Sequence, residues 1–191
     1  MTMLRTGVAT LGMVLALALV VGVPGRGDDK TKKDDDKPDL LYVPTPPEVV
    51  AKMLDMAKVK KEDVVYDLGC GDGRIVATAA KNFGARGVGV DLNPERIKES
   101  RETIKKEGVE NLVEIREGDA LKVEDLDKAT VVMLYMLPEF MRKLQPIAQK
   151  KLKPGTRIVS HDFKFPNWKP DEEIDFKGPE RTHTLYLWTV K

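Results

Sequence analysis

From Leu40 onward the chain alternates between two apolar patterns: short continuous runs, and longer stretches whose apolar positions recur with a helical period. The first helical stretch opens at Thr45-Pro46-Pro47-Glu48, where Thr45 can cap, Pro46 suits the first helical position and Glu48 completes a capping box. Val49, Val50, Met53, Leu54 and Ala57 then share one face. Residues 64–68 predict a first buried strand, and a helix follows from Arg74 to Phe83, stopped by Gly84. Residues 87–91 predict a second strand, and Asn93-Pro94 starts a helix that runs to Gly108. Residues 112–116 predict a third strand. Residues 131–135 predict a fourth, apolar on both faces as a central parallel strand is. A helix after Pro138, kinked or split at Pro146, leads to a fifth strand over 157–160. Residues 182–190 form a long β-rich terminal run. Such alternation predicts an α/β domain: a mostly parallel sheet with helices on both faces.

The N-terminal part follows neither pattern. Arg5 precedes an apolar stretch over 7–23, which Pro24-Gly25-Arg26-Gly27 breaks. This order predicts a secretory signal peptide over 1–27, cleaved after Gly27, and an exported or periplasmic product. The alternative is an uncleaved membrane anchor, for which about 17 residues is the lower limit. Residues 28–39 hold no apolar side chain to bury and read as a charged, disordered linker. The folded domain is expected over 40–191, without internal repeats and as a monomer.

Charge and cysteine content narrow the chemistry. The 32 basic and 31 acidic side chains leave a net charge of +1, which gives no field to gather phosphates, so a nucleic-acid partner is not expected. The single cysteine, Cys70, excludes a disulfide framework within one chain. No compact ligand cluster appears in the sequence, so no metal is expected.

Asp67-Leu68-Gly69-Cys70-Gly71-Asp72-Gly73 joins the first strand to its helix. Glycines at alternate positions let the backbone turn tightly and a ligand lie against it, and the helix N-terminus beyond favours an anionic group. A dinucleotide fingerprint spaces its glycines as G-x-G-x-x-G; here the last comes one residue early, and an acid precedes the loop. That acid suits an ammonium better than a pyrophosphate, which points to a ligand bearing an amino acid. A purely structural turn is the plainer reading of the loop alone. Asp91 ends the second strand, where it can accept from ribose hydroxyls, and Asp119 follows the third. Acids after three successive strands all face the carboxyl edge of the sheet, where open α/β folds bind ligands.

Residues 66–119 resemble the core of class I S-adenosylmethionine-dependent methyltransferases, and Lys151-Leu152-Lys153-Pro154-Gly155-Thr156 is similar to a turn of that class. Tyr42-Val43-Pro44-Thr45-Pro46, Tyr135-Met136-Leu137-Pro138 and Phe163-Lys164-Phe165-Pro166-Asn167-Trp168 extend the likeness. Together they resemble the protein-lysine methyltransferases of the ATP synthase c subunit and adenine nucleotide translocase, and their bacterial relatives. His161-Asp162 departs from the pattern. The resemblance implies a Rossmann-like sheet of seven strands with an antiparallel C-terminal strand. It implies that S-adenosylmethionine is held by Asp67, Gly69, Cys70, Gly71 and Gly73. Asp91, Leu92, Asp119 and Ala120 would serve the rest of the cofactor, and Tyr42 and Thr45 would close over it.

Methyl transfer from a sulfonium needs alignment and a free lone pair. A lysine acceptor has a reference pKa of about 10.4, so baring its lone pair near neutral pH costs about 4 kcal/mol. A dry aromatic mouth lowers that cost, and Tyr135, Phe163, Phe165 and Trp168 are its candidates. Tyr135 is expected to align the amine and Asp162 to orient it, on a protein substrate. His161 and His183 are expected to be structural. A small-molecule methyltransferase and a non-catalytic cofactor-fold binding module are the alternatives.

Overall fold

The computed structural model describes residues 42–191. The expected signal peptide or anchor (1–27), the apolar stretch 7–23 and the linker 28–39 lie outside the described residues. Among the described residues no helix is long and apolar enough to cross a membrane.

Helix α1 (Pro47–Met56) leads into β1 (Val64–Leu68), α2 (Arg74–Phe83), β2 (Arg86–Asp91), α3 (Pro94–Glu107) and β3 (Val113–Glu117). Two 3-10 turns, Ala120–Lys122 and Leu126–Lys128, replace a crossover helix before β4 (Val131–Leu134). Helix α4 (Pro138–Lys151), β5 (Arg157–His161), β6 (Glu172–Lys177) and β7 (Thr182–Thr189) complete the domain. The seven strands lie in the order β3-β2-β1-β4-β5-β7-β6. β1 to β5 pair in parallel, and β7 runs antiparallel to both β5 and β6. The order reverses between β1 and β4, so the loops leaving those two strands flank a crevice at the carboxyl edge.

Alternation along the strands divides the core in two. Tyr66, Leu68, Val132, Leu134, Ile158 and Trp188 face α4 with Met141 and Leu144. Val65, Val131, Met133, Val159 and Leu185 face α1 and α2, against Val50, Met53, Leu54 and Ile75. Helix α3 extends that second layer, with Ile104 packed on Val76 and Ala80 of α2 and on Val113 of β3.

Three local expectations change. Thr45 is not the cap of α1: Pro46 takes that position and Pro47 the first helical one, with no side-chain cap bond. Helix α4 is not split, since it continues through Pro146 to Lys151. Met141, Leu144 and Ala148 anchor it in the core, which offsets the lost N–H. Strand β6 has no counterpart in the apolar pattern, because only Ile174 and Phe176 interrupt its charges.

At the amino edge, opposite the crevice, Asp63 gathers three elements. It is 3% exposed and accepts from the Thr130 hydroxyl (2.7 Å), from the Lys60 N–H (2.9 Å) and from Arg157. Arg157 in turn donates to the Ala57 carbonyl at 2.6 Å, tying β5 to the end of α1. Burial acts to raise the Asp63 carboxyl, but these donors outweigh it and hold it below its ordinary value.

Candidate active site

The glycine loop leaves β1 under tight constraint. The Gly69 and Cys70 N–H groups both donate to the Val90 carbonyl, at 2.8 and 3.0 Å. Gly69 has φ 89°, and a Cβ there would lie 2.4 Å from Met136 Sδ. A Cβ on Gly71 would lie 2.2 Å from Tyr42 Cε2. Both positions therefore need glycine, because the segment leaving β4 and the segment before α1 close on the loop from two sides. Gly73, also left-handed, starts α2.

Asp67 points inward from β1 and is 2% exposed. Among the described residues its Oδ2 has no hydrogen-bond partner. Burial, with the charges of Asp91 and Asp72, pushes its carboxyl up to about 8. A buried acceptor without a donor, beside the loop, fits a ligand cation and is costly without one. Burial pushes the Cys70 thiol far above its ordinary range, so it is no nucleophile.

Asp91 already has structural work. Its Oδ2 accepts from the Gly71 N–H and its Oδ1 from the Asn93 N–H, each at 2.9 Å. Asp119 likewise caps the next turn through the Leu121 N–H at 2.9 Å and pairs with Lys122. Each carboxylate oxygen keeps a further lone pair for ribose or adenine donors. Substituting Asp91 would therefore free the glycine loop as well as a ligand contact. Leu92, 56% exposed on the lip, offers an apolar platform, and Ala120, which follows Asp119, is buried.

The segment before α1 is clamped across the loop. The Tyr42 hydroxyl accepts from the Asp72 N–H at 3.3 Å, and the Arg96 guanidinium lies 4.5 Å from the Tyr42 ring centroid. Burial, then the Asp72 charge, push the Tyr42 hydroxyl up to about 12. Arg74 grips the Asp72 carboxylate and donates to the Thr45 carbonyl at 3.0 Å. The Thr45 hydroxyl meets His161 Nδ1 at 3.2 Å instead of capping the helix.

Across the crevice, Tyr135 leaves β4 and packs, tilted by 31°, against His161 with ring centroids 3.8 Å apart. Phe163 lies 6.2 Å from Tyr135, but Phe165 is 2% exposed and packs on Trp168 and Trp188 in the core. The four-ring mouth expected from sequence is thus reduced to Tyr135 and Phe163. Antiparallel pairing of β5 with β7 brings His183 to His161, with Nδ1 of the former 2.8 Å from Nε2 of the latter. Burial pushes His161 down to about 4 and lowers His183 as well, so both are neutral imidazoles at neutral pH. Asp162, next in the chain, lies 3.3 Å from His161 Nε2 and pairs with Arg181.

His161, Asp162 and His183 each offer a donor atom within 4.8 Å of the others, a convergence absent from the linear sequence. The contact between the two ring nitrogens is a hydrogen-bond length, shorter than neighbouring ligands of one tetrahedral metal adopt. Arg181 also neutralises the carboxylate. The trio fits a hydrogen-bond chain. The structural role of the two histidines is legible in the sequence, but their pairing depends on strand register.

Known proteins resemble this chain in sequence and fold. The family model described as the ANTKMT methyltransferase domain matches residues 67–172. A protein-lysine N-methyltransferase of Saccharolobus islandicus (strain REY15A) is 47% identical over 154 residues, covering 80% of this chain and 95% of that protein. The Xenopus laevis lysine N-methyltransferase of the ATP synthase c subunit is 36% identical over 132 residues, covering 69% of this chain and 57% of its own length. Among solved structures, an RNA methyltransferase from Salinibacter ruber in complex with S-adenosyl-L-homocysteine is 49% identical, with a TM-score of 0.73. That match covers 78% of this chain and 94% of the other. The chain belongs to the ANTKMT methyltransferase family and is an S-adenosylmethionine-dependent methyltransferase.

Proposed function

We propose that the enzyme methylates lysine side chains of a protein, with Tyr135 and Asp162 handling the acceptor amine. The observation that carries this reading is a half-buried carboxylate, Asp162, beside the Tyr135 and Phe163 rings at the crevice mouth. Once released from Arg181, a carboxylate there attracts a cation and repels a phosphate. The protein-lysine relative at 47% identity supports the same acceptor.

Asp67 would accept from the cofactor's ammonium, since its Oδ2 is a buried acceptor beside the glycine loop that lacks a donor among the described residues. The glycine loop, Asp91 and Leu92 would hold the nucleoside end with Asp119 and Ala120, and Tyr42 and Thr45 would cover it. When bound, S-adenosylmethionine supplies a sulfonium-activated methyl group. Asp162 draws in the lysine as its ammonium. The Tyr135 ring excludes water, and its hydroxyl accepts from an amine N–H, which turns the nitrogen lone pair toward the crevice.

An RNA acceptor is the second reading, favoured by the Salinibacter ruber relative, which is described as an RNA methyltransferase. The net charge of +1, which gives no field to gather phosphates, speaks against it. Transfer of labelled methyl groups to poly-L-lysine but not to total RNA is the expected result; the opposite outcome replaces the lysine reading. On the same assay Tyr135→Phe should lower turnover about threefold to tenfold, and Tyr135→Ala about 100-fold, with cofactor affinity little changed. Parent rates in both variants would make Tyr135 a packing residue.

We also propose export, on the basis of the apolar stretch 7–23. Sequencing the mature N-terminus tests it: a start near Asp28 is expected, and a soluble cytoplasmic product that keeps Met1 would refute it.

A further inference from the structure

Asp162 is held in an uncommon conformation. Its φ is 60°, in the left-handed region that only a few residue types besides glycine tolerate. Strain of this kind persists where the surroundings enforce it, and it often marks a functional position. Here β7 enforces it: the Asp162 N–H donates to the Thr184 carbonyl at 2.7 Å, and Asp162 Oδ1 accepts from the Thr184 N–H at 3.1 Å. The carboxylate is thereby aimed at the mouth, with 17% of the side chain exposed. His161 beneath it is neutral and brings it no charge.

The cation that Asp162 does have is poorly built in. Arg181 belongs to the turn 178–181 between β6 and β7, and 48% of its side chain is exposed. Among the described residues its guanidinium bonds both Asp162 oxygens, the Thr182 carbonyl at 3.0 Å and the Tyr135 hydroxyl at 3.4 Å. The guanidinium approaches from the solvent side on a turn, so it can leave the carboxylate without opening the core. The partners of that guanidinium, a carboxylate and a phenol hydroxyl, are the two groups a lysine ammonium would meet in the same place. An ammonium is a compact charge with three donors and can satisfy both.

We propose that Asp162 and Tyr135 form the subsite for the acceptor's primary ammonium, and that Arg181 fills this subsite in the free enzyme until an acceptor lysine displaces it. The inference rests on the lysine reading above and adds the resident that the acceptor must replace. Arg181 is a harmless occupant, because a guanidinium keeps its proton and presents no lone pair for methylation. Displacement makes selection stricter. A lysine must arrive on a partner that docks well enough to exchange one cation for another, so free lysine is a poor acceptor.

The test puts an amine on the same turn. The Arg181→Lys chain, incubated with S-adenosylmethionine, should acquire methyl groups at position 181 at a rate independent of protein concentration. In that step the ammonium first gives a proton to solvent. The nitrogen lone pair then forms the N–C bond as the C–S bond breaks with its electrons going to sulfur, leaving S-adenosylhomocysteine. Peptide mapping by mass reads the result. Adding Asp162→Asn to the same chain should reduce the modification at least about tenfold, because an amide does not hold the ammonium. If the parent methylates poly-L-lysine while position 181 of Arg181→Lys stays unmodified, the shared subsite is wrong and the lysine reading stands. If poly-L-lysine and position 181 both stay unmodified, the lysine reading falls and takes the subsite with it.

Discussion

Asp67→Asn should weaken S-adenosylmethionine binding by roughly 10- to 100-fold while leaving the cofactor-free enzyme at least as stable at alkaline pH. Asp67 is buried, its Oδ2 has no donor, and its carboxyl is pushed up to about 8 by burial and by Asp91 and Asp72. The unfolded chain releases this proton near the ordinary carboxylate value, whereas the free folded enzyme keeps it until about 8. Between those values the folded state binds more protons than the unfolded one, so the stability of the free enzyme falls as pH rises. Asparagine removes that slope along with the negative charge the cofactor's ammonium needs. Calorimetric titration with S-adenosylmethionine and thermal melts at pH 6 and pH 9 read the two effects. Parent affinity in the variant would take Asp67 out of the cofactor site.

The opposite outcome is expected at the other edge of the sheet. Asp63→Ala should destabilise the protein by about 3 kcal/mol, because it strips Arg157, the Thr130 hydroxyl and the Lys60 N–H of their shared acceptor. The figure sits at the low end for a broken buried pair, since 20% of the Arg157 side chain remains exposed. For a domain of this size that lowers Tm by about 6–12 °C. The pH dependence is also opposite. The Asp63 carboxyl lies below its ordinary value in the folded state, so its contribution is present above that value and lost as pH falls through the depressed one. Cofactor affinity below the transition should match the parent, and a loss of affinity there would mean that the amino edge reaches the crevice after all.

The glycine loop proposed for the cofactor is legible because its signals are contiguous. Asp67 to Gly73 is one loop, and Asn93-Pro94 after Asp91 reads directly as a helix start, which the Asn93 cap bond to the Glu95 N–H bears out. The long-range pairings depend on register. His161 and His183 are 22 residues apart, and Arg157 and Asp63 are 94 apart; neither pairing has a local pattern. Strand β6 escapes for a different reason. It is an edge strand whose charges guard it against pairing with other chains, so it lacks the apolar run that marks a buried strand. Thr45 reads as a cap because threonine is a favoured residue just before a helix that opens on proline. With two prolines in succession the helix starts one residue later, and the hydroxyl turns to His161.

The reversal of strand order between β1 and β4 divides the enzyme's labour along a seam. Groups assigned to the cofactor leave β1, β2 and β3 or precede α1, whereas those assigned to the acceptor leave β4, β5 and the β6–β7 turn. Inheritance can therefore act on the two halves separately. On the proposed assignment, changing the four residues between β6 and β7 would alter the mouth without touching the groups that leave β1, β2 and β3.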